Sequence, residues 1–358
     1  MVRLVWRTDV HLSDTAPASR KDDWADTVLG KLKQVGLVAD RLRAAAVLDG
    51  GDFFHVKSPG RNTHDLVRRV ADLHQRYPCP VYGNVGNHDC VYGDYAFLDQ
   101  QPLGVLFATG VFGRCYDDYE VFFGPADTTT PEVRAYPFTK KDGWLKGNPF
   151  TLRDAHQVGN IPVVRVVGIP YHGTTYDHLR FRNIKKGEED HLVCMAHVLA
   201  SEKGGTMFEG EDIIKYSSLV DLDPDVWLFG HWHKDQGVTS LGGKTIVNIG
   251  SLTRGALSQD EMVRRPACAA LTFQRGQPVQ VQVVRLKVAP PEEVFDVEGR
   301  VRQETRSMTM DAFVDSVKRK LVTERGKDLG EILDGMPDVP DKVRERVLLY
   351  LERAESGS

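Results

Sequence analysis

Apolar and polar positions follow two different periods along the first part of the chain. Val2-Arg3-Leu4-Val5-Trp6, Ala44-Ala45-Ala46-Val47-Leu48 and Pro80-Val81-Tyr82 are short apolar runs that predict buried strands. Between them, residues 22–35 and 62–76 carry apolar side chains at three- and four-residue spacing, which predicts amphipathic helices. This alternation predicts parallel strands covered by helices, an α/β architecture. Past residue 115 the runs shorten, and strands are predicted at 119–123, 163–169, 191–196, 226–229, 245–249, 268–273 and 279–286. Residues 124–161, rich in Gly, Pro, Thr and Asp, predict a loop-dominated insertion. From Pro290-Pro291 onward, charged amphipathic helices replace the strand signals. Met310, Phe313, Val314, Val317 and Leu321 share one helical face, and Val343, Val347, Leu348 and Leu351 share another. The double proline therefore divides the chain into a domain at 1–288 and a smaller region at 289–358.

Composition narrows the function classes. At 358 residues, 41% apolar and 27% charged, the chain reads as an ordinary soluble protein with a sizeable core and no membrane span. Arg3 lies inside a predicted strand and no small-residue cleavage site follows, so no signal peptide is expected. The five cysteines, at 79, 90, 115, 194 and 268, are too scattered for a sulfur-ligated metal and fit a reducing cytoplasm. A formal net charge of −4 excludes a uniformly basic surface. Any nucleic acid would have to be held by a local patch, bound cations or a partner.

Ligands of α/β sheets gather beyond the carboxyl ends of the strands, and those ends share one chemical theme here. They read Thr8-Asp9-Val10-His11, Asp49-Gly50-Gly51-Asp52, Gly83-Asn84-Val85-Gly86-Asn87-His88-Asp89, Ala196-His197 and Gly230-His231-Trp232-His233. The two imidazoles of the last set, two residues apart at a strand end, are expected on one face, where they cannot both fill a core. Carboxylate, amide and imidazole donors without thiolate suit manganese, iron or zinc. Asp9, His11, Asp52, Asn87, His197, His231 and His233 are more donors than one ion needs. Two ions about 3.5–4 Å apart, sharing a carboxylate, would use them all.

In that order and context the residues resemble the calcineurin-like metallophosphoesterase superfamily, over roughly residues 1–285. The resemblance implies a four-layer αββα sandwich and two divalent cations, with manganese favoured. One cation would take Asp9, His11, Asp52 and His233, and the other Asp52, Asn87, His197 and His231. It also implies that His88 is an active-site histidine outside the ligand set. A finer likeness is to SbcD-type nucleases of DNA double-strand-break repair, including phage-encoded relatives. "GGDFFHVKSPGR" (50–61) puts His55 three residues after Asp52, where protein phosphatases of the superfamily carry aspartate followed by arginine. "NIGSLTR" (248–254) resembles an Asn-Pro-Gly-Ser segment, with Ile249 in place of proline. Arg7 stands where such sequences usually carry an uncharged residue.

This likeness implies exonuclease and endonuclease action on DNA and a small C-terminal strand-helix region for capping and docking. It further implies a coiled-coil ATPase partner of the SbcC type, and a homodimer. His88 is expected to stabilise developing charge or protonate the leaving oxygen, worth roughly 10²–10⁴-fold. Asp89 is expected either to orient His88 or to cap the following helix, and His55 to position substrate. The alternative reading is a phosphodiesterase for small substrates such as cyclic nucleotides or dinucleotides.

Overall fold

A computed structural model describes residues 1–55, 62–91, 94–126, 132–141, 143–144, 161–203, 210–296 and 299. Two sheets form the frame. The first contains β1 (Val2–Arg7), β2 (Ala46–Asp49), β3 (Val81–Gly83) and β4 (Phe112–Arg114), all parallel. The second is built from β5 (Tyr119–Pro125), β6 (Val133–Thr139), β7 (Gly143–Trp144), β8 (Val164–Ile169) and β9 (His191–His197). After a short parallel pair, β10 (Ala200–Ser201) and β11 (Ile214–Lys215), it continues with β12 (Val226–Gly230), β13 (Gly237–Leu241) and β14 (Lys244–Asn248). The chain then returns to the first sheet as β15 (Ala267–Phe273) and β16 (Gln280–Arg285), antiparallel to their neighbours. The sheet orders are β16-β15-β1-β2-β3-β4 and β13-β14-β12-β9-β8-β5-β6-β7.

Alternation along the strands explains why the sheets stack. Leu4, Trp6, Leu48, Tyr82 and Leu271 of the first sheet share one buried cluster with Phe123, Val166, Val193, Met195 and Leu228 of the second. Full burial of each such side chain contributes about 1.5–3 kcal/mol. The opposite face of the first sheet, through Val5, Val47, Val81 and Phe112, packs on α1 (Trp24–Leu42), α2 (His64–His74) and α3 (Pro102–Ala108). Asp23 caps α1 by accepting from the Asp26 N–H, and Thr63 caps α2 by accepting from the Leu66 N–H. The outer face of the second sheet buries Leu192, Trp227, Phe229 and Ile246 under Phe181 of α4 (His178–Arg182) and a 3₁₀ turn at Tyr216–Leu219. The result is an α/β sandwich of two sheets between helical layers.

The predicted parallel core is present, and several elements differ from expectation, among them three whose reason is local. The first helix runs to Leu42, because Val35 and Ala39 keep its buried face going past residue 35. Phe112–Arg114 forms a strand that its short run did not announce. Within 124–161, expected to be loop, Val133–Thr139 pairs antiparallel with β5; Pro137 masks its alternation in the sequence.

The chain divides into two compact units, Met1–Phe295 and Asp296–Ser358. The first extends past the double proline because Val294 and Phe295 are buried, the Phe295 ring lying 4.9 Å from the Arg20 guanidinium and 5.7 Å from that of Arg254. The helical faces predicted at 310–321 and 343–351 lie outside the described residues. No helix among the described residues is long and apolar enough to cross a membrane.

Candidate metal centre

All five polar sets lie together at the carboxyl ends of β1, β2, β3, β9 and β12, and the backbone there is strained toward function. Asp9, His11, Asp52 and His231 have φ of 53°, 50°, 52° and 86°, in the left-handed region that non-glycine residues avoid. Each such residue costs on the order of 1–3 kcal/mol, which the surrounding structure must hold in place. Gly86 lets the β3 loop lie against Asp52, since a Cβ at that position would be driven into the Asp52 carboxylate.

The side chains converge in two groups that share Asp52, and a third brings His11 together with His55 and His88. In the first, ligand atoms of Asp9, His11, Asp52 and His233 lie within 4.8 Å of one another. His11 Nε2 is 2.8 Å from His233 Nε2, 3.8 Å from Asp9 Oδ1 and 3.7 Å from Asp52 Oδ2. The second joins Asp52, His197 and His231 within the same limit, with His197 Nε2 3.3 Å from Asp52 Oδ2. β12 ends at Gly230, so His231 and His233 do not share a strand face as their spacing suggested. The turn at His231 sends the two rings into different groups.

These residues fit a pair of cations on the test of polar satisfaction. Asp52 Oδ2, Asn87 Oδ1 and His197 Nε2 are buried and make no hydrogen bond among the described residues. Buried polar atoms are nearly always paired, and each of the three can offer a lone pair to a cation. Their electrostatics agree. Burial opposes charge on Asp52, yet His197, His88 and His11 hold its carboxyl well below the usual range. Burial likewise opposes a proton on His197, but Asp52 and Asp9 lift that imidazole to about 9. Burial, with His233 beside it, pushes His11 well down. In the metal-free chain the Asp52 charge is thus balanced by a proton on His197, which a bound cation would replace.

The remaining expected residues take distinct places. His88 donates its backbone N–H to Asp52 Oδ1 at 2.7 Å, and its ring sits edge-on to His11 with centroids 4.9 Å apart. His55 stacks on His88 at 4.7 Å and 17°, and its Nδ1 lies 3.2 Å from His11 Nδ1. Asp89 is fully buried and accepts from the N–H groups of Asp52, Gly86 and Phe54 at 2.7, 2.9 and 2.9 Å. It thus joins the β2 and β3 loops. Burial and the charge of Asp52 push its carboxyl upward, against the pull of the N–H donors.

Three residues of the site carry no signal in the sequence reading. Glu211 accepts from His231 Nε2 and from the Tyr176 hydroxyl, each at 2.8 Å. Burial opposes its charge, but the His231 contact leads the influences that hold its carboxyl low. Tyr171 lies 5.3 Å from the His231 ring. The odd Arg7 is also explained. It is fully buried, paired with Asp49 at 2.7 Å and hydrogen-bonded to Tyr77 and His74 at 3.1 and 3.0 Å. Asp49 in turn accepts from the Gly51 N–H at 3.2 Å, beside Asp52. A cavity of about 540 Å³ opens next to this centre, bordered by His11, His55, His233, Trp24, Lys234 and Thr253.

Residues 3–235 match the family model described as calcineurin-like phosphoesterase. The chain belongs to that family. With the two donor groups, membership makes it a metal-dependent phosphoester hydrolase. No curated protein matches it. Among solved structures it is similar to TT1561 of Thermus thermophilus, at 11% identity and TM-score 0.39, over 79% of this chain and 99% of that one. It is also similar to a dimetal phosphatase from Danio rerio (11%, TM-score 0.43, 80% and 99%). A third is the purple acid phosphatase PPD1 from yellow lupin (Lupinus luteus) seeds (13%, TM-score 0.37, 79% and 51%). These are distant likenesses, and the family assignment rests on the match over residues 3–235.

Proposed function

We propose that this hydrolase is a DNA nuclease of the SbcD type, acting on phosphodiesters at ends and internal sites. The observation that carries this reading is the placement of His55. Protein phosphatases of the superfamily carry an aspartate and then an arginine at this point. Here an imidazole stacks on His88, touches His11 and borders the cavity. Its Nδ1 is engaged with His11, and its ring supports the face of His88.

Two divalent cations at the paired groups, manganese above iron or zinc, would neutralise phosphodiester charge and lower the pKa of a water toward neutrality. The protein's own part is positioning. Asp52, gripped through its backbone by Asp89 and through Oδ1 by the His88 N–H, stands between the two groups and sets their separation. Asp9 is held by its own partners, accepting from Thr8 Oγ1 at 2.7 Å and from the His231 N–H at 3.0 and 3.1 Å. His88, anchored between Asp52 and His55 without joining either donor group, offers a proton to the leaving oxygen or a hydrogen bond to the phosphoryl oxygens. Asp89 acts through the loops it joins. In the same reading the C-terminal region docks a coiled-coil ATPase, the chain pairs with a second copy, and it works in a reducing cytoplasm.

The cavity of about 540 Å³ and the net charge of −4 favour a second reading, hydrolysis of small diesters such as cyclic nucleotides or dinucleotides. Turnover of labelled single- and double-stranded DNA with manganese, alongside cyclic nucleotides and bis-p-nitrophenyl phosphate, separates the two. The nuclease reading expects cleavage of DNA; hydrolysis of the small esters alone would replace it with the second.

A further inference from the structure

The two donor groups differ in what stands behind their imidazoles. His11 turns Nε2 to Asp9, Asp52 and His233, while its Nδ1 meets another imidazole, Nδ1 of His55, at 3.2 Å. Behind His231 stands a carboxylate, with Nε2 2.8 Å from Glu211 Oε1. The hydrogen positions follow from the chain of partners. The Leu199 N–H donates to the Tyr176 hydroxyl oxygen at 2.8 Å, and the hydroxyl's own hydrogen goes to Glu211 Oε1 at 2.8 Å. A carboxylate offers only lone pairs, so His231 Nε2 carries the hydrogen of that contact. Nδ1 is then the ring nitrogen that keeps its lone pair, on the side chain that groups with Asp52 and His197.

The relay is firmly built. Tyr176 is 3% exposed. Its N–H donates to Asp212 Oδ2 at 2.8 Å, and the Asp212 N–H donates to the Thr174 carbonyl at 2.8 Å. The Ile214 N–H returns to the Leu199 carbonyl at 2.9 Å, two residues beyond His197.

We propose that Glu211, held by Tyr176, is a positioning residue that fixes the His231 tautomer and strengthens metal binding at the Asp52–His197–His231 group. The inference rests on the dinuclear reading above. A carboxylate behind a ligating imidazole orients the ring and raises its basicity, and loss of such a partner typically costs about 10–100-fold in metal affinity. His55 offers His11 no carboxylate, so loss of Glu211 should weaken the binding of one ion and spare the other.

Calorimetric titration of manganese into metal-free full-length protein tests this, with electron paramagnetic resonance counting bound ions. Wild type should bind two ions. Glu211→Ala should weaken one binding event about 10–100-fold and leave the other within about threefold. Glu211→Gln, which keeps the shape and an acceptor but not the charge, should fall between. Tyr176→Phe should produce a smaller loss at the same event. The unfolding midpoint of metal-free Glu211→Gln should match wild type, which a merely structural role would not predict. Unchanged affinities in Glu211→Gln, or equal weakening of both events, would overturn the proposal. Fewer than two ions on wild type would instead bring down the dinuclear reading beneath it.

Discussion

His88 is tied to the site through its backbone, by the bond to Asp52 Oδ1, and through its ring, stacked on His55 and edge-on to His11. Removing its imidazole should therefore leave the donor groups standing. In His88→Ala both metals should remain by elemental analysis, while the hydrolysis rate falls about 10²–10⁴-fold; loss of metal would make His88 part of the binding site. Gly86 lies at the opposite extreme, where a single methyl group matters. Gly86→Ala would push its Cβ into the Asp52 carboxylate, so manganese content should drop with the fold intact by circular dichroism. At this scale the sequence is informative where donor types recur after strands, since seven metal-seeking side chains each follow an apolar run. Glu211 and Tyr176 carry no such signal. They lie in two segments without a motif, and the pairing of β10 with β11, with the bonds of Tyr176 to Leu199 and Asp212, brings them together at His231. Arg7 looks anomalous for the same reason, because its partners Asp49, His74 and Tyr77 stand 42 to 70 residues away.

Among the elements, α1 carries an unusual liability. Lys31 sits on its buried face at 3% exposure. Burial lowers its pKa to about 7, aided by the nearby Arg20 and Arg254 and resisted by Asp22. A depressed lysine has a definite sign. Above pH 7 the folded chain releases this proton while the unfolded chain keeps it up to about 10.5, so stability rises with pH across that window. Lys31→Met removes the group, and its stability advantage over wild type should be largest at or below pH 7. The advantage should shrink by about 1.4 kcal/mol per pH unit above that, or about 3 kcal/mol by pH 9. Urea unfolding of both proteins at pH 6.5, 8 and 9 measures it, and a constant difference would place the ammonium in water. The pattern that shows α1 to be a helix cannot show this, because Lys31 reads as one more polar position until Arg20 and Arg254 fold around it. Strand β6 is hidden for a related reason: Pro137 breaks the alternation locally, yet β5 supplies partners along its whole length.

For the whole molecule, the centre is where the two sheets are joined at one rim. Asp9, His11, Asp52 and Asn87 follow strands of the first sheet, whereas His197, His231 and His233 follow strands of the second. Protein contacts already bridge this rim: Asn84 Nδ2 donates to the Ile169 carbonyl at 2.9 Å, and the Tyr171 N–H donates to the Val85 carbonyl at 3.0 Å. Cations held by donors from both sheets would add cross-links at this edge and would discharge the buried lone pairs of Asp52, Asn87 and His197. Binding that favours the folded state raises stability by mass action, about 2.7 kcal/mol at one hundred times the dissociation constant. Manganese should accordingly raise the melting temperature of chelator-treated protein, and Asp52→Asn, which removes the shared charge, should lose most of that rise. The gain should also be localised. Amide exchange should slow at residues 8–12, 51–55, 84–89, 197–201 and 230–234 together, since a cation shared between sheets cannot be released by opening one of them. Slowing confined to the first three stretches would mean that the ions sit on the first sheet alone, leaving His197, His231 and His233 without their role.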